Sequence, residues 1–287
     1  MRAARFLANM GRNVRNASFQ SVLAVALQHF WHARYLEAMS SSPWHPLVEP
    51  LSLQRDCVHI FRVSLESDDR QLEQFKALLS PDESARADRF KVAHPRRHFI
   101  VCRAVVRQLL GQCVDCDPQQ VEFEYGPHGK PALRQPTTVP RIEFSVSHSA
   151  DQGLIAIAID RQIGVDLEEM NPAVRILKLA TRFFSPREAT ELASLPEADQ
   201  LAGFYRGWTC KEAYLKATGF GLSFPLNKFS VSLNPRIPTQ LIQVIDQPQE
   251  LARWKLLPLQ PKDGFAGAVL FEASIGDAVE LKLWNAR

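Results

Sequence analysis

The sequence predicts an α+β protein built as a pseudo-dimer of two similar lobes. Segments that alternate apolar and polar residues, as strands do, occur between segments with helical start and stop signals. The same order of elements occurs twice: a shift of 108 positions places Cys102 on Cys210, Gly111 on Gly219 and the segment 121–125 on 229–233. We interpret this as an internal duplication. Ligands usually bind in clefts, and the interface between two lobes is a common place for one.

The N-terminal segment 1–42 differs in composition from the rest of the chain. It is rich in arginine and contains no acidic residue before Glu37, which is typical of an organelle transit peptide. The alternative is an upstream extension from a misassigned start, with Met39 as the true one. We favour the extension, poorly ordered or helical, followed by a first lobe over 43–160 and a second lobe over 161–287.

In the first lobe, segment 56–64 alternates as a strand does. Ser80-Pro-Asp-Glu83 is a helix start, with serine at the N-cap, proline in the first turn and glutamate at the third position. Residues 99–110 are predicted to be helical and to end at Gly111, and 121–125 forms the next strand.

The second lobe repeats these signals. Ser185-Pro-Arg-Glu188 is a second Ser-Pro-x-Glu helix start, and a later helix carries Lys211 and ends at Gly219. Segment 229–233 alternates as a strand does. The two lobes are therefore predicted to share one architecture.

Bulk composition limits the class of protein. With 46% hydrophobic and 23% charged residues the chain is predicted to be globular, and no apolar run approaches the roughly 18 residues that span a bilayer. The odd count of five cysteines without a secretory signal favours a reduced, cytoplasmic location. We expect neither a membrane nor a nucleic acid as partner.

Three smaller patterns leave alternatives open. The basic stretch from Glu83 to Arg107 indicates an anionic ligand or an acidic partner, or else a solvated helix face. The pair Cys113 and Cys116 lacks the further ligands that a zinc site needs. His94 and His98 are four residues apart, but Pro95 between them is expected to prevent a helical metal pair, so we expect surface residues.

The most informative residues are acidic. Asp166 and Glu168 are two apart in an alternating segment, so their side chains share one face of a strand. Glu212 and Lys216 are one helical turn apart and point the same way. Three carboxylates from two elements, together with one lysine, suit a Mg²⁺ ion that holds a phosphate.

Four motifs occur in order, and together they carry a resemblance. They are Tyr125-Gly-Pro-His-Gly-Lys-Pro131, Phe144-Ser-Val-Ser-His-Ser149, Ile163-Gly-Val-Asp-Leu-Glu168 and Trp208-Thr-Cys-Lys-Glu-Ala-Tyr-Leu-Lys216. From about residue 52 to the mid-230s the chain resembles the 4′-phosphopantetheinyl transferases of the surfactin-synthetase-activating type. The resemblance implies their fold, a pseudo-dimer of two α+β lobes.

The resemblance also implies a reaction: transfer of the 4′-phosphopantetheine arm of coenzyme A to a serine of an apo carrier protein, with release of 3′,5′-ADP. It implies that Mg²⁺ is bound on the pyrophosphate by Asp166, Glu168 and Glu212. Glu212 is also the expected base, acting directly or through a metal-bound water, and Lys216 is expected to stabilise the leaving oxygen. The coenzyme A contacts implied by the matching positions are Arg86, Lys130, Ser147, His148, Lys211 and Lys216.

Some positions depart from the family or match it less closely. Glu83 stands where the best-known members have a lysine. The resemblance then implies either weaker nucleotide affinity or a phosphate contact taken over by Arg97, which is a candidate. Three residues are inserted between Gly126 and Lys130 in the first motif. Glu188 matches a family acidic position near the metal.

Two other readings of the same residues remain open. A degenerate relative would bind coenzyme A without turnover, and a metal-dependent phosphohydrolase would use water as nucleophile. For the transferase we expect an acidic acyl or peptidyl carrier, from fatty acid, polyketide or peptide synthesis. We expect a monomer, because the duplication supplies its own interface.

Overall fold

The computed structural model describes residues 44–47, 50–274 and 277–287, and the predicted extension at 1–42 lies outside the described residues. Two successive sets of elements share one order: a strand, three helices, a short strand pair and two long strands. A two-residue strand, β1 (His45–Pro46), precedes them. The first set contains β2 (Cys57–Ser64), α1 (Asp69–Lys76), α2 (Pro81–Asp88), α3 (Ala93–Val114), β3 (Phe123–Tyr125), β4 (Pro131–Leu133), β5 (Ile142–Ser149) and β6 (Gln152–Ile159).

The second set repeats the first. It contains β7 (Ile163–Glu169), α4 (Ile176–Phe183), α5 (Pro186–Ser194), α6 (Glu197–Thr218), β8 (Phe229–Val231), β9 (Leu241–Val244), β10 (Trp254–Leu259) and β11 (Phe265–Glu272). A four-residue helix, α7 (Glu250–Arg253), precedes β10, and β12 (Glu280–Asn285) ends the chain. Short 3₁₀ helices occupy Pro118–Gln120, Gly221–Ser223 and Leu226–Lys228. The predicted α+β pseudo-dimer is confirmed.

Each set builds a three-stranded antiparallel sheet. In the first, β2 pairs with β6 and β6 with β5; in the second, β7 pairs with β11 and β11 with β10. The last strand, β12, pairs in parallel with β2, and β1 pairs with β12. The predicted division gave all of 161–287 to the second lobe, but β12 joins the first sheet. There it covers the edge of β2, whose backbone groups would otherwise be unpaired.

The two sheets pack against each other, and the long helices lie outside them. Between the sheets, Ile60 and Leu154 of the first meet Val165 and Leu167 of the second. Helix α3 packs on the outer face of the first sheet, and α6 packs on the outer face of the second. Alternation along β7 therefore turns Asp166 and Glu168 towards α6, while Val165 and Leu167 enter the inter-sheet core.

Both Ser-Pro-x-Glu segments begin helices as predicted, and their glutamates form equivalent buried ion pairs. Ser80 caps α2 and Ser185 caps α5, each in a capping box. Glu83 lies 2.6 Å from the guanidinium of Arg107 on α3, and Glu188 lies 2.8 Å from the ammonium of Lys211 on α6. In both lobes, therefore, a glutamate near the start of the second helix pairs with a cation on the long third helix.

Each of these cations also binds the chain that follows its helix. Arg107 donates to the carbonyl of Val121 at 3.0 Å, and Lys211 donates to the carbonyl of Phe229 at 2.6 Å. Arg107 further donates to Pro118 and Lys211 to Leu226. Matching contacts in both lobes support the duplication.

The duplication has a different register from the one predicted. Helices α3 and α6 each have 22 residues and begin at residues 93 and 197, a shift of 104, whereas the strands that follow them, β3 and β8, begin at residues 123 and 229, a shift of 106. Pairing Cys102 with Cys210 was therefore wrong by one helical turn. Two additional residues connect the helix to the strand in the second lobe.

The predicted end of α3 at Gly111 was also wrong. The helix continues to Val114, and Asp115 adopts the left-handed conformation that ends it. Gly111 is required for another reason: a Cβ there would lie 2.8 Å from the carbonyl oxygen of Cys116, where the chain folds back. In α6 the prediction was right, and Gly219 is the left-handed cap.

None of the described helices is both long and apolar enough to cross a membrane.

Candidate active site

The site lies where the edge strands β5 and β7 run side by side and are joined through serine side chains. Ser145 Oγ accepts a hydrogen bond from the backbone N–H of Val165 at 3.1 Å. Ser149 Oγ accepts from the N–H of Glu169 and donates to Glu168 Oε2, each at 3.1 Å. The Ser-x-Ser-x-Ser alternation of the second motif therefore fixes the backbone that presents the acidic residues.

Asp166 is at the centre of the site and is 4% exposed. Its Oδ1 accepts from Ser147 Oγ at 2.8 Å and from Lys216 Nζ at 2.7 Å. Its Oδ2 is buried and has no hydrogen-bond partner among the described residues. A buried carboxylate oxygen without a donor is costly, and a bound cation would remove that cost.

Glu168 and Glu212 flank Asp166, and both have raised pKa values. Burial is the main cause for each, and the negative charge of Asp166 is the next. Lys216 opposes both shifts, and for Glu168 the hydroxyl of Ser149 and the side chain of Trp208 also help to keep the carboxylate charged. Three carboxylates beside one ammonium leave an excess of negative charge, so the residues present suit a divalent cation.

The three carboxylates are not drawn together around one point. Among the described residues, the group whose potential metal-binding atoms all lie within 4.8 Å of one another is Glu66, His94 and His98. Asp166, Glu168 and Glu212 do not form such a group. Mutual repulsion between unneutralised carboxylates favours such spacing. A Mg²⁺ ion also usually retains waters and takes oxygens from its substrate, so the site need not close on protein oxygens alone.

Close packing of α6 on β7 sets the distance between the two acidic elements. A Cβ on Gly164 would lie 2.0 Å from the carbonyl oxygen of Ala213 and 2.4 Å from the nitrogen of Ala217. No side chain fits there. The glycine of the third motif therefore lets the helix bring Glu212 and Lys216 up to Asp166.

A group of basic side chains lies on one side of the carboxylates. The pKa of His148 is lowered by burial and then by the positive charges of Lys216, His98 and Arg86. Arg86 lies with its guanidinium 5.1 Å from the ring centre of Phe99. Neighbouring positive charges that oppose protonation of one imidazole are suited to an anionic ligand.

A cavity of about 240 Å³ is lined in part by Lys216 and Glu212. Lys130 lines this cavity, and its ammonium donates to the carbonyls of Ile163 at 3.2 Å and Ala217 at 3.1 Å. Burial lowers the pKa of Lys130. Lys130 thus ties the first motif to β7 and to the end of α6, and one N–H remains for a ligand.

The structure contradicts the phosphate-binding role expected for Lys211 and the position expected for Glu188. Both side chains are 0% exposed and paired with each other. The ammonium of Lys211 is further occupied by two backbone carbonyls. Phosphate cannot reach it, so Lys211 is removed from the coenzyme A contacts and Glu188 from the surroundings of the metal.

Glu83 and Arg97 also differ from expectation. Glu83 is 3% exposed and pairs with Arg107 and Arg103, so it has a structural role equivalent to that of Glu188. Arg97 binds Asp69 and the carbonyl of Ser67, so it is not a free replacement cation.

Sequence reasoning missed Ser149 and Trp208, which contact Glu168. Both lie inside the motifs quoted above. A period of two along 145–149 was the available signal for Ser149.

His94 is exposed as predicted, but the prediction was wrong for the surface position of His98 and for the effect of Pro95. Helix α3 begins at Ala93, so Pro95 lies in its first turn, where proline is tolerated because the N–H has no intrahelical partner. The two imidazole rings have their centres 3.9 Å apart and are tilted by 57°, and His98 is buried.

Comparisons with known proteins match both lobes. Residues 66–160 match the model of the 4′-phosphopantetheinyl transferase N-terminal domain, and residues 162–270 match that of the 4′-phosphopantetheinyl transferase superfamily. The chain is 39% identical to the 4′-phosphopantetheinyl transferase HetI of Nostoc over 247 residues, which cover 86% of this chain and all of the relative.

Two Bacillus proteins are similar over shorter spans. The 4′-phosphopantetheinyl transferase psf-1 of Bacillus pumilus is 33% identical over 61% of this chain and 75% of the relative. The 4′-phosphopantetheinyl transferase Sfp of Bacillus subtilis is 31% identical over 56% of this chain and 70% of the relative. These two loosely support the surfactin-synthetase-activating type. With both lobes matched and one relative covered from end to end, the chain belongs to the 4′-phosphopantetheinyl transferase superfamily.

Proposed function

We propose that this transferase moves the 4′-phosphopantetheine arm of coenzyme A to a serine of an apo acyl or peptidyl carrier protein, releases 3′,5′-ADP, and depends on Mg²⁺. The observation that supports Mg²⁺ dependence is the environment of Asp166. Its buried Oδ2 has no hydrogen-bond donor among the described residues, and its neighbours Glu168 and Glu212 have raised pKa values. Asp166, Glu168 and Glu212 would hold the ion. When bound, Mg²⁺ neutralises charge on the diphosphate of coenzyme A.

Glu212 is the proposed base. Burial and the charge of Asp166 raise its pKa, which makes it a better proton acceptor than an ordinary glutamate. In the reaction, the serine oxygen forms a bond to the phosphorus that carries the pantetheine. The bond from this phosphorus to the bridging oxygen breaks, and the serine proton passes to Glu212 directly or through a water.

Lys216 is the proposed stabiliser of the leaving group. Its ammonium is 2.7 Å from Asp166 and 30% exposed, so it is held in place by one partner and remains open to another. A fixed positive charge beside the departing 3′,5′-ADP oxygen stabilises the charge that develops there.

The coenzyme A contacts we propose are Arg86, Lys130, Ser147, His148 and Lys216. Arg86 and His148 belong to the basic group beside the carboxylates and suit the nucleotide phosphates. Lys130 lines the cavity beside Lys216 and Glu212, which is suited to the pantetheine arm. Ser147 positions Asp166 through its hydroxyl and would release that bond to contact a phosphate.

We further propose a cytoplasmic monomer that acts on an acidic carrier. All five cysteines are unpaired, which is consistent with a reducing compartment. The basic group is complementary to an acidic partner. The two lobes already bury a shared core between their sheets. A protein with a single lobe would have to form that interface with a second chain, so this chain does not need one. We keep the lobe boundary at residue 160, with 1–42 as an extension.

The test is a mass measurement on an apo carrier incubated with the enzyme, coenzyme A and Mg²⁺. A mass gain on the carrier equal to the phosphopantetheine arm, absent when EDTA replaces Mg²⁺, supports the proposal. Formation of 3′,5′-ADP without a gain on the carrier indicates a phosphohydrolase. Binding of coenzyme A with neither product indicates a degenerate binder.

A further inference from the structure

The second group of interest lies where the loop after β2 meets the first turns of α3. Glu66 is in the loop, and His94 and His98 are one helical turn apart on α3. One ligand atom from each lies within 4.8 Å of the other two. The sequence does not show this group as a metal-binding motif, because Glu66 is distant from the histidines along the chain and Pro95 lies between His94 and His98.

The distances are those of ligands around a shared ion. Glu66 Oε1 is 3.6 Å from His94 Nε2 and 3.5 Å from His98 Nε2. These separations exceed a good hydrogen bond. Tetrahedral zinc with bonds of about 2.0–2.1 Å places its ligand atoms about 3.3–3.4 Å apart, so small side-chain rotations would satisfy an ion.

The backbone around Glu66 is fixed on both sides. The N–H of Leu65 donates to Asp151 at 2.8 Å, and Arg287 donates to the carbonyl of Glu66 at 2.9 Å. Arg97 binds the carbonyl of Ser67 at 2.6 Å. The loop is therefore held against α3 by contacts independent of the Glu66 carboxylate, and little backbone order remains to be gained on binding.

We propose that Glu66, His94 and His98 form a zinc site, with the fourth position open to water or a further ligand. Two imidazoles and one carboxylate are a donor set that zinc accepts and Mg²⁺ does not favour. The site is separate from the carboxylates of β7 and α6. Bound zinc would tie the β2–α1 loop to the start of α3.

The test is a Co²⁺ and Zn²⁺ titration of the full chain, purified without a histidine tag and stripped of metal. Millimolar Mg²⁺ is kept present to occupy the carboxylates. We expect one equivalent of Co²⁺ to give the visible absorption of nitrogen-ligated, low-coordinate cobalt, and Zn²⁺ to displace it and raise the Tm. His94 and Glu66 are exposed, so His94→Gln and Glu66→Gln should remain folded. Loss of a residue that only supports a metal ligand weakens metal binding about 10–100-fold, so loss of a ligand itself should weaken zinc binding by at least that factor.

His45→Gln is the matched control, because His45 is an exposed histidine on β1, away from these residues. It should bind as the parent does. The proposal is overturned if the parent takes up no Co²⁺ or Zn²⁺ under these conditions, or if both His94→Gln and Glu66→Gln retain the parental affinity. Neither result bears on phosphopantetheine transfer, because the readout is metal binding and not activity.

Discussion

Replacing Gly164 with alanine tests whether the distance between β7 and α6 controls activity, because the change moves these elements apart without altering any reacting side chain. The new Cβ would lie 2.0 Å from the carbonyl oxygen of Ala213, whereas even a tight Cβ contact is 3.0 Å. The obstacle is helix backbone, which cannot rotate away. The helix must therefore withdraw from β7 by about 1 Å, taking Glu212 and Lys216 with it.

The expected cost falls more on activity than on stability. Overpacking of this kind costs about 1–3 kcal/mol, and a domain has about 5–15 kcal/mol in total, so the variant should remain folded at 25 °C. A displacement of 1 Å in a catalytic constellation costs about 100-fold in rate. We expect kcat/KM for transfer to a carrier to fall by about that factor, although no reacting side chain has changed.

The assay pairs transfer kinetics with urea unfolding followed by circular dichroism. Gly153→Ala on β6 is the matched control, because its new Cβ would meet Leu65 at 3.4 Å, an ordinary contact. That variant should keep its activity. If Gly164→Ala is folded and transfers phosphopantetheine at the parental rate, the spacing of β7 and α6 does not position the site, and the reasoning fails.

Three further predictions concern charge and the ends of the chain. Because the pKa of Glu212 is raised above its ordinary 4.5, the metal-free protein should lose stability as pH rises from 4.5 through the raised value. The pKa of Glu168 is raised as well, so Glu212→Gln should reduce this loss without removing it, and it should abolish transfer. Glu169→Gln should do neither, as urea unfolding in EDTA at pH 5–8 and a transfer assay will show. Lys211→Ala should leave Glu188 buried without its cation, which should lower the free energy of unfolding by about 3–5 kcal/mol. The KM for coenzyme A should not change. A raised KM without a loss of stability would instead indicate that Lys211 binds phosphate. Deleting residues 1–38 should leave kcat/KM unchanged, and a truncated chain that fails to fold would show that the extension belongs to the core.

The sequence was sufficient for the architecture and for the acidic strand. Alternation predicted that Asp166 and Glu168 share a face, and the Ser-Pro-x-Glu signals located two helix starts correctly. These signals are local, so they can be recognised within a few residues. The β12 strand could not be assigned in this way, because its partner β2 is more than 200 residues earlier in the chain.

The misplaced residues share one physical cause. Lys211 was expected to bind phosphate because it matches a family position, but a buried glutamate and two carbonyls compensate its charge in the interior. Gly111 looked like a helix cap because glycine often ends a helix, whereas here it allows the carbonyl of Cys116, five residues later, to fold back onto the helix. Each residue is explained by a contact outside its own helix, which the local pattern does not reveal.

The most direct test of the account is a crystal structure with coenzyme A and Mn²⁺ in place of Mg²⁺, with anomalous scattering used to locate the metal. We predict an anomalous peak in contact with Asp166, Glu168, Glu212 and a diphosphate oxygen of coenzyme A. A diphosphate bound in the site with no metal peak on these carboxylates would contradict the central claim.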